Sequence, residues 1–358
     1  MKPLMQTKLQ PEKKRTIYFR IKSIKRKKMC IYIRGSKTKS HSGKENFMQA
    51  EQSALQQLSF QKDIAKPFEL LQLEVLEKRT NLSTDDKKLL WVQRMGYQGE
   101  RIFFEFITRY AKQHWKVLYR TWLSVNGRLE CDFIIITRVG VYFFEIKHYN
   151  GSFVYENHQQ FINQRRFKGD ILGQFKQMKE RTSQMCHVLN YSGLITHKLI
   201  YINPYYTARL PQEWEGFLLH YNQLNDFFEK ITRDENTINP ANLSPENFDL
   251  LIDRDFRCEA PYQFQEISAA QATSLKTGIE CVHCGSFSLT TTRYKVICSN
   301  CHQEEFKEEA GMRMIEDFRL LFPNTEIIGS KMALINGGFF HHNYLNKILY
   351  HARLLPHQ

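Results

Sequence analysis

No stretch of the chain reaches the roughly 18 apolar residues that a membrane-spanning helix needs, and the first thirty positions lack the apolar core of a signal peptide. The pattern argues against a membrane partner and for a cytoplasmic protein. Acidic residues are scarce at one end: residues 1–47 hold fifteen Lys or Arg against only Glu12 and Glu45, a net +13 out of +14 for all 358 residues. The basicity therefore belongs to a terminal arm and not to the body that folds. Its run "KSIKRKK" (22–28) suits a nucleic acid or an anionic surface. The same arm also reads as a disordered leader, or as residues ahead of a start at Met48. No internal repeat is present.

Cysteine is sparse, and without a secretory signal a disulfide scaffold is not expected. Cys30, Cys131, Cys186 and Cys258 are scattered, as buried thiols usually are. By contrast Cys281, Cys284, Cys298 and Cys301 form two C-x2-C pairs thirteen residues apart. Each pair can wrap one ion, and four thiolates complete a closed tetrahedral Zn²⁺ site with no open position. Gly285 suits the knuckle turn, and "SFSLTTTRYKVI" between the pairs alternates like a hairpin. This module resembles a zinc ribbon in which Zn²⁺ is structural. His283 and His302 are expected to stay outside the ligand set.

Periodicity divides the rest. "EQSALQQL" and "FELLQLEVLEKR" read as helices separated by Pro67, and Ser83 or Thr84 is placed to cap the next helix. A further helix is predicted to begin near Gly99. Its apolar stripe of Phe103, Phe104, Ile107, Tyr110 and Ala111 also carries Glu100. From Lys116 the period becomes two, and "KVLYRTWLSV", "LECDFIIIT", "VYFFEIK" and "SFVYE" read as a meander of antiparallel strands. A helix from about Ile171 to Asn190 and a strand "HKLIYIN" follow, which makes an α/β sandwich around one sheet. Residues 205–270 resist placement. Beyond the ribbon, three short helices are expected, with Phe318, Leu321, Ile327, Met332, Ile335, Leu345, Ile348 and Leu349 inside. Their glycine turn resembles a helix-turn-helix, which would turn His342, Asn343, Asn346, Lys347 and Arg353 toward DNA.

The stretch "FFEIKHYNG" (143–151) poses the main chemical question, because an apolar strand ends in two opposite charges. Alternation sets Val141, Phe143, Glu145 and Lys147 on one face. If "RVG" closes a tight hairpin, Asp132 falls opposite Glu145 or Lys147. Two carboxylates and an ammonium at the end of an apolar sheet are costly to bury without a partner. Asp132 and Glu145 suit Mg²⁺ or Mn²⁺, and Lys147 beside them could position the attacking water. The plain alternative is a solvated strand end with an Asp–Lys salt bridge.

"GYQGE", "ECDFIII" and "FFEIKHYNG" together resemble the NERD (nuclease-related) domain of the PD-(D/E)XK nuclease superfamily. The resemblance implies a PD-(D/E)XK-like mixed sheet flanked by helices, and an active site at Glu100, Asp132, Glu145, Lys147 and Gln174. His148 stands where the family often has Asn, and "DILGQ" replaces an Asn-Pro motif, which leaves Gln177 as a rival to Gln174. The expected layout is a basic arm (1–47), a helical lead-in (48–95), the nuclease-like α/β domain (96–205), an extension and linker (206–277), the ribbon (278–306) and a three-helix module (307–358). The expectation is a metal-dependent nuclease with DNA as partner and RNA as the second choice. The alternative is a non-catalytic DNA-binding or scaffolding protein that keeps a nuclease fold.

Overall fold

The computed structural model describes residues 63–261 and 266–354. The arm of 1–47, the candidate start at Met48 and the helix expected at "EQSALQQL" lie outside the described residues. The chain divides into two compact units: 81–266 with 63–77 form the larger, and 267–354 with 78–80 the smaller.

Helix α1 is Phe68–Arg79 and α2 is Thr84–Tyr110. The Ser83 hydroxyl accepts from the Asp86 amide, and Asp85 and Asp86 in the first turn complement the positive end of α2. The break expected near Gly99 does not occur, because α2 runs on for 27 residues with Gly96 and Gly99 in its interior. Interior glycine costs about 1 kcal/mol of helix propensity. Gly99 offsets that cost by close packing: a Cβ there would lie 2.7 Å from His148 Cβ and 3.0 Å from Ile202 Cγ2.

Strands β1 (Lys116–Ser124), β2 (Arg128–Ile136) and β3 (Gly140–Lys147) pair antiparallel as their alternation implies. The expected fourth strand leaves this sheet. β4 (Ser152–Glu156) pairs instead with β5 (Gln159–Ile162), and β5 with β6 (Arg165–Arg166). The cause is local: Gly151 adopts φ +91°, while Asn163 accepts from the Ser152 amide and donates to the Asn150 carbonyl, folding the chain back on itself. After α3 (Ile171–Val188), β7 (Leu194–Tyr201) takes the open edge of β3, parallel to it over eight residue pairs. β8 (Thr207–Arg209) then joins β4, and after the short α4 (Gln212–Glu215), β9 (Leu218–His220) extends the main sheet beside β7. The main sheet therefore has the mixed order β1-β2-β3-β7-β9.

Helices α5 (Leu224–Thr237) and α6 (Pro245–Asp255) come from the segment whose sequence resisted placement. Phe228 and Ile231 of α5 join Phe103, Ile107, Phe133 and Phe144 in the core on one side of the sheet. Ile134, Phe143, Phe175, Met178 and Met185 form the core on the other side, under α3.

In the smaller unit, α7 (Ala269–Ser274) precedes the antiparallel sheet of β10 (Leu289–Thr291), β11 (Lys295–Cys298) and β12 (Glu304–Phe306). α8 (Lys307–Leu321), α9 (Ala333–Asn336) and α10 (His342–Leu354) follow. Phe318, Leu321, Met332, Ile335, Leu345 and Ile348 are buried there, while Ile327 and Leu349 are half-buried. Asn346 is exposed, and its side chain accepts from the Gly329 amide at 2.7 Å. Among the described residues no helix is long and apolar enough to cross a membrane.

The two helix glycines make opposite predictions. Gly99→Ala is expected to lower unfolding stability by about 1–2 kcal/mol, the steric cost exceeding the propensity gain. Gly96→Ala, where no atom lies within 4 Å, should raise it by about 0.5–1 kcal/mol. Urea denaturation of both variants checks this, and equal stabilisation by the two would refute the packing role of Gly99.

Candidate active site and cysteine cluster

The charged end of β3 is built by three neighbours. The pairing of Phe133 with Phe144 puts Asp132 in the row of Glu145. There the ladder stops, and Asp132 Oδ2 accepts from the Ile146 amide at 2.6 Å. Glu145 and Lys147 share a face, and Glu145 Oε1 meets Lys147 Nζ at 2.6 Å, with side chains 13% and 16% exposed. Gln174 Oε1 accepts from the same ammonium at 3.5 Å. Gln177 also lines the cleft above them, but Gln174 is the glutamine that meets Lys147.

Each supporting element has a reason for its place. At the start of α3, Asp170 Oδ1 accepts from Gly173 N and Gln160 Nε2, while Gln160 Oε1 accepts from Ile171 N. These bonds fix the first turn of α3 and with it Gln174. On the opposite side His148 Nδ1 donates to the Met95 carbonyl at 2.9 Å, which ties the chain after β3 to α2 beside Gly99. Glu100 thus lies well inside α2, so the helix N-terminus does not account for it. Its Oε2 accepts from the Tyr119 hydroxyl.

Glu100, Asp132, Glu145, Lys147, His148 and Gln174 line a cleft of about 720 Å³. At its floor the acids crowd one another. Burial pushes the Asp132 carboxyl well above its usual range, and Glu145 and then Glu100 push it further, against the pull of Lys147. Burial likewise raises Glu100 to about 7, opposed by Arg120 and the Tyr119 hydrogen bond and reinforced by Glu130 and Glu145. Burial would lower the Lys147 pKa, but Glu145 and Asp132 outweigh it and the ammonium is held charged.

Residues 95–205 match the family model of NERD, the nuclease-related domain. Glu100, Asp132, Glu145, Lys147 and Gln174 all lie within that match. Searches of curated proteins and of solved structures return no match. The fold around the nuclease-related domain is mixed α/β, with mixed sheets flanked by helices. Tyr119, Arg120 and Glu130 also line or support its cleft and were missed from sequence. The available signal was Arg120, a charge that interrupts the apolar alternation of "KVLYRTWLSV".

In the smaller unit, Cys281, Cys284, Cys298 and Cys301 bring their sulfurs within 4.8 Å of one another, and among the described residues this is the group of three or more metal-ligating side chains that closes so tightly. Cys281–Cys301 and Cys284–Cys298 are each 3.6 Å apart. That is too far for a disulfide at about 2.05 Å. It is close to the edge of about 3.8 Å of a tetrahedron with 2.3 Å metal–sulfur bonds. The amides of His283 and Asn300 point at Cys281 and Cys298, and the Asn300 side chain and then the Ser286 amide hold the Cys284 thiol down to about 6. Four such thiols could hold a metal ion such as zinc.

The Glu100 shift has a stability consequence. Its folded pKa of about 7 exceeds the ordinary 4.5, so the protein binds more protons folded than unfolded between those values. Stability is expected to fall as pH rises from about 4.5 to 7, by at most about 3 kcal/mol. Denaturation in EDTA at pH 5 and pH 8 measures it. Asp132, also raised by burial, contributes in the same direction, so Glu100→Gln should remove part of the difference, and an unchanged difference in that variant would rule out Glu100 as a source.

Proposed function

We propose that the nuclease-related domain is a metal-dependent nuclease that hydrolyses phosphodiester bonds in DNA. The observation that carries this reading is the meeting of Asp132, Glu145 and Lys147 at one strand end, on the floor of an open cleft where Glu100 and Glu145 crowd Asp132. Hard oxygen donors crowded at one strand end fit Mg²⁺ or Mn²⁺, which take one or two carboxylates and leave other positions to water and phosphate. Asp132 and Glu145 would hold the ion. When bound, it supplies charge neutralisation at the phosphate and acidifies the attacking water.

The remaining roles follow from the side chains. Lys147 stays protonated between Glu145 and Asp132, so it donates hydrogen bonds and is not a general base in this state. It can orient the attacking water and steady charge that grows on a phosphate oxygen. Gln174 restrains the ammonium from α3. Glu100 sits close enough to the other acids to share their field, which suits an outer position around the ion.

Cleavage of linear, nicked and single-stranded DNA, with an RNA strand beside them, tests the proposal in Mg²⁺ or Mn²⁺. Asp132→Ala and Lys147→Ala, each folded, are expected to lose about 100-fold or more of the rate. If wild type and both variants are equally inert while DNA binding persists, the protein is a binding module that keeps a nuclease fold.

The cysteine cluster is proposed to be a structural Zn²⁺ ribbon, since four thiolates leave no open coordination position. Elemental analysis of the purified chain should find about one zinc per molecule. Chelation, or Cys281→Ser, should remove the ion and expose the smaller unit to limited proteolysis. Full protease resistance in a zinc-free preparation would overturn this role.

A further inference from the structure

Arg120 occupies an unusual place in β1. Register runs from Tyr119↔Phe133 to Thr121↔Cys131, so Arg120 faces Asp132 across the two strands, yet that row makes no ladder pair. The backbone explains the gap: Arg120 adopts φ +44°, a left-handed conformation that a non-glycine residue seldom takes within a strand. On both strands the alternation slips at this row. Tyr119 and Phe133 belong to the core under α2, whereas Leu123 and Cys131, of the same parity, belong to the core under α3. No residue is inserted, so the kink is a change of twist and not a bulge.

The kink puts a guanidinium into the cleft. Arg120 lines it together with Glu100, Asp132 and Glu145. Its Nε donates to Glu130 Oε1 at 2.8 Å, and both side chains are 26% exposed. Among the described residues its Nη1 and Nη2 make no hydrogen bond, which leaves the outer fork of the guanidinium free. A strained residue that persists in a strand is a reason to look for function. A regular residue would serve the ladder better, and an ion pair with Glu130 needs no left-handed backbone. What the kink does accompany is a planar, always-charged fork in the lining of the cleft that Asp132 and Glu145 share.

We propose that Arg120 is the phosphate-binding cation of this cleft, its free fork taking the oxygens of a nucleic-acid phosphodiester while Glu130 holds the side chain in place when the cleft is empty. The proposal rests on the nuclease reading for the identity of the anion, and it assigns a residue to the substrate backbone. Guanidinium suits this task because its donors match two phosphate oxygens at once. Arg128 and Arg181 also line the cleft, and Arg181 Nη1 donates to the Arg128 carbonyl at 3.0 Å. They extend the positive lining beyond the acidic floor.

The test is fluorescence anisotropy of a fluorescein-labelled oligodeoxynucleotide, single-stranded and duplex, in EDTA over a KCl series, followed by cleavage in Mn²⁺. Arg120→Gly should bind about 10-fold more weakly and reduce the salt slope by about one. Its melting temperature should not fall, because glycine relieves the left-handed strain. Arg120→Lys should be intermediate, since it keeps the charge and loses the fork. Glu130→Gln should bind a few-fold more tightly by freeing Arg120. A wild type that cleaves while Arg120→Gly and Glu130→Gln bind and cleave as it does overturns this assignment and leaves the nuclease reading intact. Arg120-dependent binding without cleavage supports the assignment while the catalytic reading falls. A protein that neither binds nor cleaves overturns both.

Discussion

The larger unit is governed by one electrostatic constraint: an apolar sheet ends in Asp132, Glu145 and Lys147, with Glu100 close by. A carboxylate in low dielectric is stable only if it is paired, hydrogen-bonded or protonated. All three solutions occur within this cleft. Glu145 is paired with Lys147, Asp132 accepts the Ile146 amide, and burial shifts Glu100 toward its protonated form. The surrounding elements are arranged to make these solutions available. α3 brings Gln174 to the ammonium, β1 brings Tyr119 to Glu100, and α2 is pressed against His148 closely enough that Gly99 has no room for a side chain.

Much of this frame was legible in sequence because it depends on alternation and capping, which are local. Alternation put Glu145 and Lys147 on one face, and the tight turn at "RVG" put Asp132 beside them. What was not legible depends on contacts distant in sequence. Gly99 resembled a helix boundary, since local propensity cannot register His148 and Ile202. "SFVYE" had the period of a fourth meander strand, but pairing partners are set by a return of the chain through Gly151 and Asn163. The segment around α5 and α6 mixes helical and irregular signals, and its place is decided by distant contacts: β9 pairs with β7, Phe228 and Ile231 of α5 join the core under α2, and Phe248 and Ile252 of α6 join the core under α3.

Arg120 illustrates a different limit. Its charge was visible as an interruption in an apolar strand, yet the informative property is a backbone angle. Sequence predicts a φ near −120° for such a residue. Only the structure reveals that the regular ladder yields at the row of Asp132. Strained backbone of this kind clusters at functional sites, so a departure from the local rule is more informative here than agreement with it.

The two candidate metal sites follow opposite chemical logic, and that difference bears on how one chain could hold two kinds of ion. The cysteine cluster offers four soft sulfurs whose separations are already close to tetrahedral, with no place for water or substrate. The cleft offers hard oxygens from two carboxylates, loosely arranged and open to solvent. A thiophilic ion therefore gains most at the cysteines, where softness and closure both favour it. On the proposed reading an ion that prefers oxygen gains in the cleft, where the two carboxylates supply attraction and open positions would admit a phosphate. Selectivity then needs no tight binding at the oxygen site: a weakly held ion would be strengthened by the phosphate itself. On the proposed reading, substrate and metal complete one another in the cleft, while the ribbon's ion is permanent.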